Sequence, residues 1–146
     1  MTAQRQLCTF ALADQYFGLD VLHVQEIIRF QDLTRVPLAH RDVSGLINLR
    51  GQIVTAIDLR RRLELPDRLP GVQPVNIVVQ TDDGAVSLLV DEIGDVLQLD
   101  ELGFERPPDT LRGIARDMIT GAYKLEQRLL LVLDLDLLLG NIALPN

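Results

Sequence analysis

The two halves of the chain repeat one pattern of apolar positions, turns and glycines, and this repeat limits the folds that the chain can adopt. A shift of 69 residues places Phe10, Val21, Val24 and Ile27 on Val79, Val90, Ile93 and Val96. A shift of 76 residues places Gly45, Leu49, Asp58, Leu59 and Leu63 on Gly121, Leu125, Asp134, Leu135 and Leu139. We therefore predict two similar five-stranded units, each closed by a short capped helix, since small barrels of this kind leave few strand edges exposed.

Short strands separated by turns dominate both halves. Residues 6–12 alternate, which places Cys8, Phe10 and Leu12 on one face of a strand. Asp82-Asp83-Gly84 is a strong hairpin signal. Two further predicted strands, 44–49 and 52–57, meet at Arg50-Gly51. The fold predicted from these patterns is mainly β.

Two aspartates are placed to begin helices. Asp58 and Asp134 each precede a leucine-rich turn, and a carboxylate at this position can accept from free amide N–H groups. Gly140 is expected to end the second helix. Residues 66–74 contain three prolines and predict a long connection, and 104–109 predict a surface loop.

Composition excludes several classes of function. Apolar residues make up 47% of the 146 residues, so the chain can form a core. Its net charge of −7 makes it a poor binder of nucleic acid or of anionic membrane surfaces. The most apolar run, 129–133, is too short to span a bilayer. With Cys8 as its single cysteine the chain can form no internal disulfide, and we expect a cytoplasmic protein.

The sequence carries few signals of catalysis. His23 and His40 lie outside any metal-binding motif, and no cofactor-binding motif is present. We therefore predict no catalytic residues, no metal and no cofactor. One remote alternative is a small hydrolase in which Asp134, Asp136 and His40 converge on a metal or a water.

Glu26 and Arg50 are charged residues that the repeat does not preserve. They correspond to Asp95 and Glu126, so a pair of opposite charges exists in the first half alone. Such a pair is either an ordinary surface ion pair or part of a recognition surface. A turn that contains a glycine would hold the arginine in a fixed direction. The planar guanidinium group of arginine suits carboxylates and carbonyl groups.

Three short motifs in order give a specific resemblance. Val-Gln-Glu-Ile (24–27) precedes Asn-Leu-Arg-Gly (48–51), and Asp58-Leu59 follows. Together with the patterns at 87–99 and 121–139, these stretches resemble the CheW family of bacterial chemotaxis coupling proteins over nearly the whole chain.

The resemblance implies a single domain over 1–146, in which two SH3-like five-stranded barrels share a core. We place the first barrel approximately at 15–65 and the second at 75–125, with the terminal segments completing the fold. It also implies a non-enzymatic adaptor that joins the cytoplasmic tip of chemoreceptors to the histidine kinase CheA. Such a protein would be recruited to membrane receptor clusters through its partners.

The resemblance also implies which residues bind each partner. The receptor's helical hairpin is expected at Val24, Glu26, Gly45, Asn48, Arg50 and Gly51. The kinase's regulatory domain is expected at Asp91, Ile93 and Val96. In this hypothesis Arg50 and Glu26 orient a receptor helix while Val24 fills its apolar groove.

Two related functions stay open at this point. Adaptors of this family also serve pilus-linked motility and other chemosensory pathways, and His23 and Thr55 depart from residues common in the family. A freestanding piece of a kinase regulatory domain is a further possibility. The Asn-Leu-Arg-Gly element and the Met1 start favour an independent adaptor.

Overall fold

The computed structural model describes residues 4–111, 113–140 and 142, with the backbone alone for Ile114 and Ala115. Over these residues it contains ten strands: β1 (Gln4–Leu12), β2 (Gln15–Asp20), β3 (Val24–Ile28), β4 (Val43–Leu49), β5 (Gln52–Asp58), β6 (Val75–Thr81), β7 (Gly84–Val90), β8 (Glu92–Asp100), β9 (Ile119–Lys124) and β10 (Leu129–Leu133). The helices are α1 (Leu59–Arg62), α2 (Ile114–Met118) and α3 (Leu135–Leu139), with single 3₁₀ turns at Val21–His23 and Glu101–Gly103.

The strands form two five-stranded sheets of the same design. The first sheet has the order β8-β1-β2-β10-β9, and the second has the order β3-β6-β7-β5-β4. Each contains one parallel pair, β2 with β10 and β5 with β7. The prediction of a mainly β fold with two five-stranded units is therefore confirmed.

The two sheets exchange strands between the halves of the chain. β1 and β2 join β8, β9 and β10 from the second half, while β6 and β7 join β3, β4 and β5 from the first. The ranges 15–65 and 75–125 therefore do not coincide with the sheets, because each combines strands from both. The reason is local: the 3₁₀ turn that begins after Asp20 directs the chain from the first sheet into the second.

In each sheet, a segment outside the named strands pairs with one edge strand through a short β-bridge next to a glycine. In the second sheet Thr34 exchanges two backbone hydrogen bonds of 2.8 Å with Leu46. In the first sheet Glu105 does the same with Ala122, at 2.8 and 2.9 Å. The predicted surface loop 104–109 is therefore partly anchored at its start.

The repeated glycines Gly45 and Gly121 lie where these bridging segments pass. A Cβ atom on Gly45 would stand 2.6 Å from the carbonyl oxygen of Thr34. One on Gly121 would stand 2.5 Å from the carbonyl oxygen of Glu105. The repeat in the sequence therefore reflects a steric need that is the same in both sheets.

The apolar side chains of the described residues form three clusters. The largest lies between the sheets and takes side chains from both, including Phe10, Leu19, Ile57, Ile77, Leu88 and Leu131. A second cluster fills the second sheet, around Ile47, Val54 and Val78. A third fills the first sheet, around Leu7, Tyr123 and Leu130. The predicted shared core is thus present, and each sheet has a smaller core of its own.

β1 is covered on both faces rather than on one. Leu7 packs inside the first sheet, while Phe10 and Leu12 pack between the sheets. Cys8 is also buried, and this burial raises the pKa of its thiol. The alternation at 6–12 therefore marks two buried faces rather than one buried and one exposed face.

The predicted helix caps are confirmed. Asp58 Oδ1 accepts from the Arg60 N–H at 2.9 Å, and Asp134 Oδ1 accepts from the Leu137 N–H at 3.0 Å. Gly140 ends α3. Within the described part of the chain, no helix has the length and apolar character needed to cross a bilayer.

A buried arginine ties the two capped helices together. Arg62 Nε donates to the Leu138 carbonyl at 2.7 Å, and Nη2 donates to the Gly140 carbonyl at 2.5 Å. Its Nη1 lies 3.5 Å from Asp42 Oδ2, and both side chains are less than a tenth exposed. A salt bridge therefore joins α1 to the β3–β4 connection, next to hydrogen bonds that reach α3.

The Gly45→Ala substitution should destabilise the fold. The added methyl group meets the Thr34 carbonyl, and the φ of 154° at Gly45 is strained for alanine. We expect the free energy of unfolding, measured by urea titration, to fall by about 1–3 kcal/mol. Gly103→Ala is the matched control, because its Cβ would meet Tyr123 at an ordinary 3.5 Å. Equal losses for both variants would contradict the steric role of Gly45.

Candidate partner-binding site

The β4–β5 hairpin holds Arg50 in a fixed position. Arg50 and Gly51 both have positive φ, 50° and 88°, as a two-residue type I′ turn requires. The Asn48 side chain supports the turn, because its Oδ1 accepts from the Gly51 N–H at 2.9 Å. The Asn-Leu-Arg-Gly element therefore forms one local unit that aims the arginine.

Arg50 forms a two-pronged ion pair with Glu26. Arg50 Nη1 donates to Glu26 Oε1 at 2.9 Å, and Nη2 donates to Oε2. The hydrogen bonds from Arg50 lower the pKa of Glu26, and those same bonds raise the pKa of Arg50. The arginine side chain is 68% exposed and the glutamate 22%. The pair is therefore fully charged at neutral pH and accessible to a partner.

The ion pair joins the two edges of the second sheet. β3, which carries Glu26, is one edge strand, and β4, which leads to Arg50, is the other. Together with the Thr34–Leu46 bridge, the pair closes the open side of this sheet. The first sheet has acidic residues at both corresponding positions, Asp95 and Glu126, so an ion pair cannot form between them.

The exposed apolar side chains close in sequence to the pair differ from the one predicted. Val24 is half-buried and packs against the core between the sheets, so it offers a partner little surface. Ile27, beside Glu26, is 41% exposed, and Ile53, two residues after Gly51, is 64% exposed. Their exposure follows from strand register, and sequence analysis did not single them out as contacts for a partner.

The six residues expected at the receptor thus have different roles. Glu26, Asn48, Arg50 and Gly51 meet at the hairpin turn or in the ion pair. Gly45 is buried beneath the Thr34 carbonyl, where it positions β4 and has no exposed surface of its own.

Asp91, expected at the kinase, is held by groups within the chain. It accepts from Arg60 Nε at 2.9 Å and from the Ala13 N–H at 2.8 Å, and Arg68 Nε lies 2.9 Å away. Partial burial raises the pKa of Asp91, but the bonds from Arg60 and Ala13 and the charge of Arg68 outweigh it, so the pKa is lowered. Asp91 therefore links three parts of the chain at the single residue between β7 and β8.

The other two residues expected at the kinase lie on β8, an edge strand of the first sheet. Ile93 pairs with Phe10 and packs against the core between the sheets. Val96 pairs with Cys8 and is 58% exposed. Of the three residues, Val96 offers the largest exposed apolar surface.

The residues of the hydrolase alternative have separate structural tasks. Asp134 caps α3, and His40 Nδ1 accepts from the Asp42 N–H at 3.1 Å. Across the residues that the structure describes, no three His, Cys, Asp or Glu side chains are grouped to hold a metal ion. Asp134 and Asp136 line one hollow and His40 lines another, so the three side chains are not grouped as the hydrolase alternative requires.

Comparison with known proteins agrees on one family. The chain matches the CheW-like domain family over residues 6–143. It is 33% identical to chemotaxis protein CheW of Rhizobium meliloti, over 90% of this chain and 85% of that protein. It is 32% identical to chemotaxis protein CheW of Bacillus subtilis, over 97% of this chain and 93% of that protein.

A solved structure shares the fold. The crystal structure of the scaffolding protein TtCheW from Thermoanaerobacter tengcongensis superposes with a TM-score of 0.83 at 28% sequence identity. The match covers 96% of this chain and 94% of that one. The arrangement of two sheets described above is therefore the arrangement of a solved relative.

Replacing Asp91 should change how stability depends on pH. A carboxylate with a lowered pKa stabilises the folded state above its unfolded pKa of about 3.9, and this contribution is lost as the pH falls through the folded value. Asp91→Asn should therefore lower the free energy of unfolding by about 1–3 kcal/mol at neutral pH. The free energy of unfolding of Asp91→Asn should also fall less steeply below about pH 4 than that of the unsubstituted protein.

Urea titrations from neutral pH down to about pH 3 measure both effects. Asp83→Asn is the control, because Asp83 is exposed in the β6–β7 turn. The free energy of unfolding could depend on pH equally steeply in Asp91→Asn and in the unsubstituted protein. That result would show that the arginines do not hold the carboxylate in its charged form.

Proposed function

Because this chain belongs to the CheW family, we propose that it is a non-enzymatic chemotaxis scaffold that couples chemoreceptors to the histidine kinase CheA. Family membership supports the scaffold role, since a solved relative is itself described as a scaffolding protein. The coupling of receptor to kinase requires two binding surfaces on one chain. The Glu26–Arg50 pair is the observation on which the receptor surface rests.

The receptor surface combines a fixed charge pair with exposed apolar side chains. Ile27 lies on the strand that carries Glu26 and Ile53 on the strand that follows Arg50, and both are exposed and can pack against the apolar face of a helix. The pair uses two of the five N–H donors of the Arg50 guanidinium, so further donors can bind carbonyl or carboxylate oxygens of a receptor. The charges would then set the direction and register of the helix.

The remaining family motif residues act by positioning this surface. Asn48 and Gly51 fix the hairpin turn, and Gly45 lets β4 approach the bridging segment. Val24 anchors β3 in the core and so sets where Glu26 stands. This revises the sequence-based hypothesis, in which Val24 itself filled the receptor's groove.

We place the kinase surface on β8. Val96 is the apolar contact for the regulatory domain of CheA, while Ile93 and Asp91 hold the strand against the core and α1. With both partners bound, a change in the receptor can alter the kinase through this chain, because binding at the two surfaces is then coupled. The protein would act in the cytoplasm, recruited to receptor clusters by its partners.

The Arg50→Glu variant should lose receptor binding while staying folded. The substitution places two carboxylates together at an exposed position, which removes the pair and its donors without opening the core. We expect receptor-dependent control of the kinase to be abolished in a reconstituted phosphorylation assay. Thermal unfolding and pull-down with the receptor's cytoplasmic fragment would be measured on the same preparation.

Two controls separate direct contact from support of the turn. Arg106→Glu makes the same change at another exposed arginine and should bind receptor normally. The double variant Glu26→Arg/Arg50→Glu can re-form an ion pair with exchanged charges, yet it should stay defective because the partner meets the wrong charge. Normal receptor binding by a folded Arg50→Glu protein would contradict the site.

Formation of the ternary complex tests the function as a whole. Purified protein would be combined with the kinase, with and without a chemoreceptor fragment. Kinase control that depends on this protein supports the coupling role. If the chain binds neither a chemotaxis receptor nor the kinase but binds a receptor of pilus-linked motility, the related pathway is correct instead.

A further inference from the structure

The edge strand β8 contains one more residue than the stretch of β1 with which it pairs. Ile93 is opposite Phe10, and Val96 is opposite Cys8. Residues 94 and 95 of β8 therefore lie where β1 has only Thr9, which is the arrangement of a β-bulge. A bulge matters for a binding surface because a shift of one residue moves the side chains that follow it to the other face of the strand.

The bulge decides which side chains of β8 face outward. Ile93, before the bulge, packs against the cluster between the sheets, whereas Leu97, after it, packs against the cluster inside the first sheet. On a regular strand, residues four apart would share one face. Val96 lies on the face opposite Leu97, where it is 58% exposed. A strand without the bulge that kept Ile93 in place would therefore turn Val96 inward and Leu97 outward.

Two hydroxyl groups, from β1 and β2, hold the bulge. Thr9 is fully buried, and its Oγ1 donates to the Asp95 carbonyl at 2.5 Å. The Tyr16 hydroxyl in turn donates to Thr9 Oγ1 at 2.6 Å. The Arg128 guanidinium lies 4.1 Å from the centre of the Tyr16 ring and supports it from outside. Because the extra residue of a bulge is left unpaired by the ladder, Thr9 supplies a donor that the neighbouring strand does not.

Gly94 leaves the space that these two hydroxyl groups occupy. A Cβ atom on Gly94 would stand 2.5 Å from Thr9 Oγ1 and 2.6 Å from the Tyr16 hydroxyl oxygen. A side chain at position 94 would therefore displace the hydrogen bonds that reach the Asp95 carbonyl. We call Thr9 and Tyr16 the hydroxyl pair.

The second sheet has a bulge at the corresponding place on β3 but lacks the hydroxyl pair. The ladder between β3 and β6 shifts between Val24 and Glu26. The shift of 69 residues that relates the two halves places Val78 and Ala85 at the positions of the hydroxyl pair. Glu26 is held by Arg50 instead, through the ion pair described above. Each edge strand with a proposed partner surface thus carries a bulge, and a different interaction holds the residues at each one.

We propose that Thr9 and Tyr16 are positioning residues for kinase binding, because their hydroxyl groups hold the bulge that keeps Val96 on the outer surface of β8. This inference rests on the function proposed above, since it needs the kinase to bind at β8. Thr9 itself does not touch the kinase, because it is fully buried. The receptor surface lies on the second sheet and does not depend on the hydroxyl pair.

Calorimetric titration of variants of the full chain with purified kinase tests this proposal. Thr9→Val removes the donor and introduces the residue type that β6 has at the corresponding position, so the fold should accept it. We expect its Kd for the kinase to rise about tenfold and its Kd for the receptor fragment to stay within about twofold. Tyr16→Phe keeps the ring beside Arg128 and should also weaken kinase binding. Thr9→Ser keeps a hydroxyl group and should bind the kinase normally.

Amide hydrogen exchange, followed by NMR, reports on the bulge without the kinase. Exchange at residues 94–97 should be faster in Thr9→Val than in the unsubstituted protein. Thr120→Val is the matched control, because Thr120 Oγ1 also donates to a strand carbonyl of this sheet, that of Val132, but lies on the opposite edge strand, β9. This control should change neither exchange at residues 94–97 nor kinase binding.

The outcomes separate the positioning role from the proposed function. If the unsubstituted protein does not bind the kinase, the proposed function fails and the positioning role fails with it. If it does bind, then equally tight binding by Thr9→Val, or unchanged exchange at residues 94–97, overturns the positioning role alone. Equal losses of kinase and receptor binding also overturn it, since Thr9 would then support the fold as a whole. Weak binding by Thr9→Ser would show that the hydroxyl group is not what matters.

Discussion

Apolar packing between the two sheets is the interaction on which the rest of the structure depends. Leu19 and Leu131 of the first sheet meet Ile57, Ile77 and Leu88 of the second in a single cluster. Each sheet alone has a much smaller cluster of its own. The proposed receptor surface inherits its geometry from this packing, because Val24 holds β3 against the core and β3 in turn places Glu26 opposite Arg50.

Charged groups inside the protein strengthen the same junction. Arg62 connects α1 with the end of α3, and Asp91 gathers Arg60, Arg68 and the β1–β2 turn at the link between β7 and β8. Such partly buried pairs are costly to break once formed, because the remaining charge keeps no partner. They fix how the sheets meet, which would set the spacing between the two proposed binding surfaces.

Features that depend on neighbouring residues could be predicted from the sequence. The helix caps at Asp58 and Asp134 and the turn at Arg50-Gly51 need only local chemistry, and all three are present. The repeat also predicted two like units. The exchange of strands was not predictable, because the residues of β3 do not indicate which distant strand pairs with it. The task of Asp91 was missed for the same reason, since its partners lie far along the chain.

The strand exchange has a consequence for how the chain can assemble. Two half-length copies that traded their first two strands would have the same topology, so the fold is that of a domain-swapped dimer whose two copies are covalently joined. Residues 63–74 form the linker between α1 and β6. Because of this linker, the two halves associate within one molecule rather than between two molecules. The effective concentration of one half of the chain around the other is set by the length of this connection, and it does not depend on the concentration of the protein. The two sheets therefore complete each other at any dilution, and the protein acts as a pseudo-symmetric dimer that cannot dissociate.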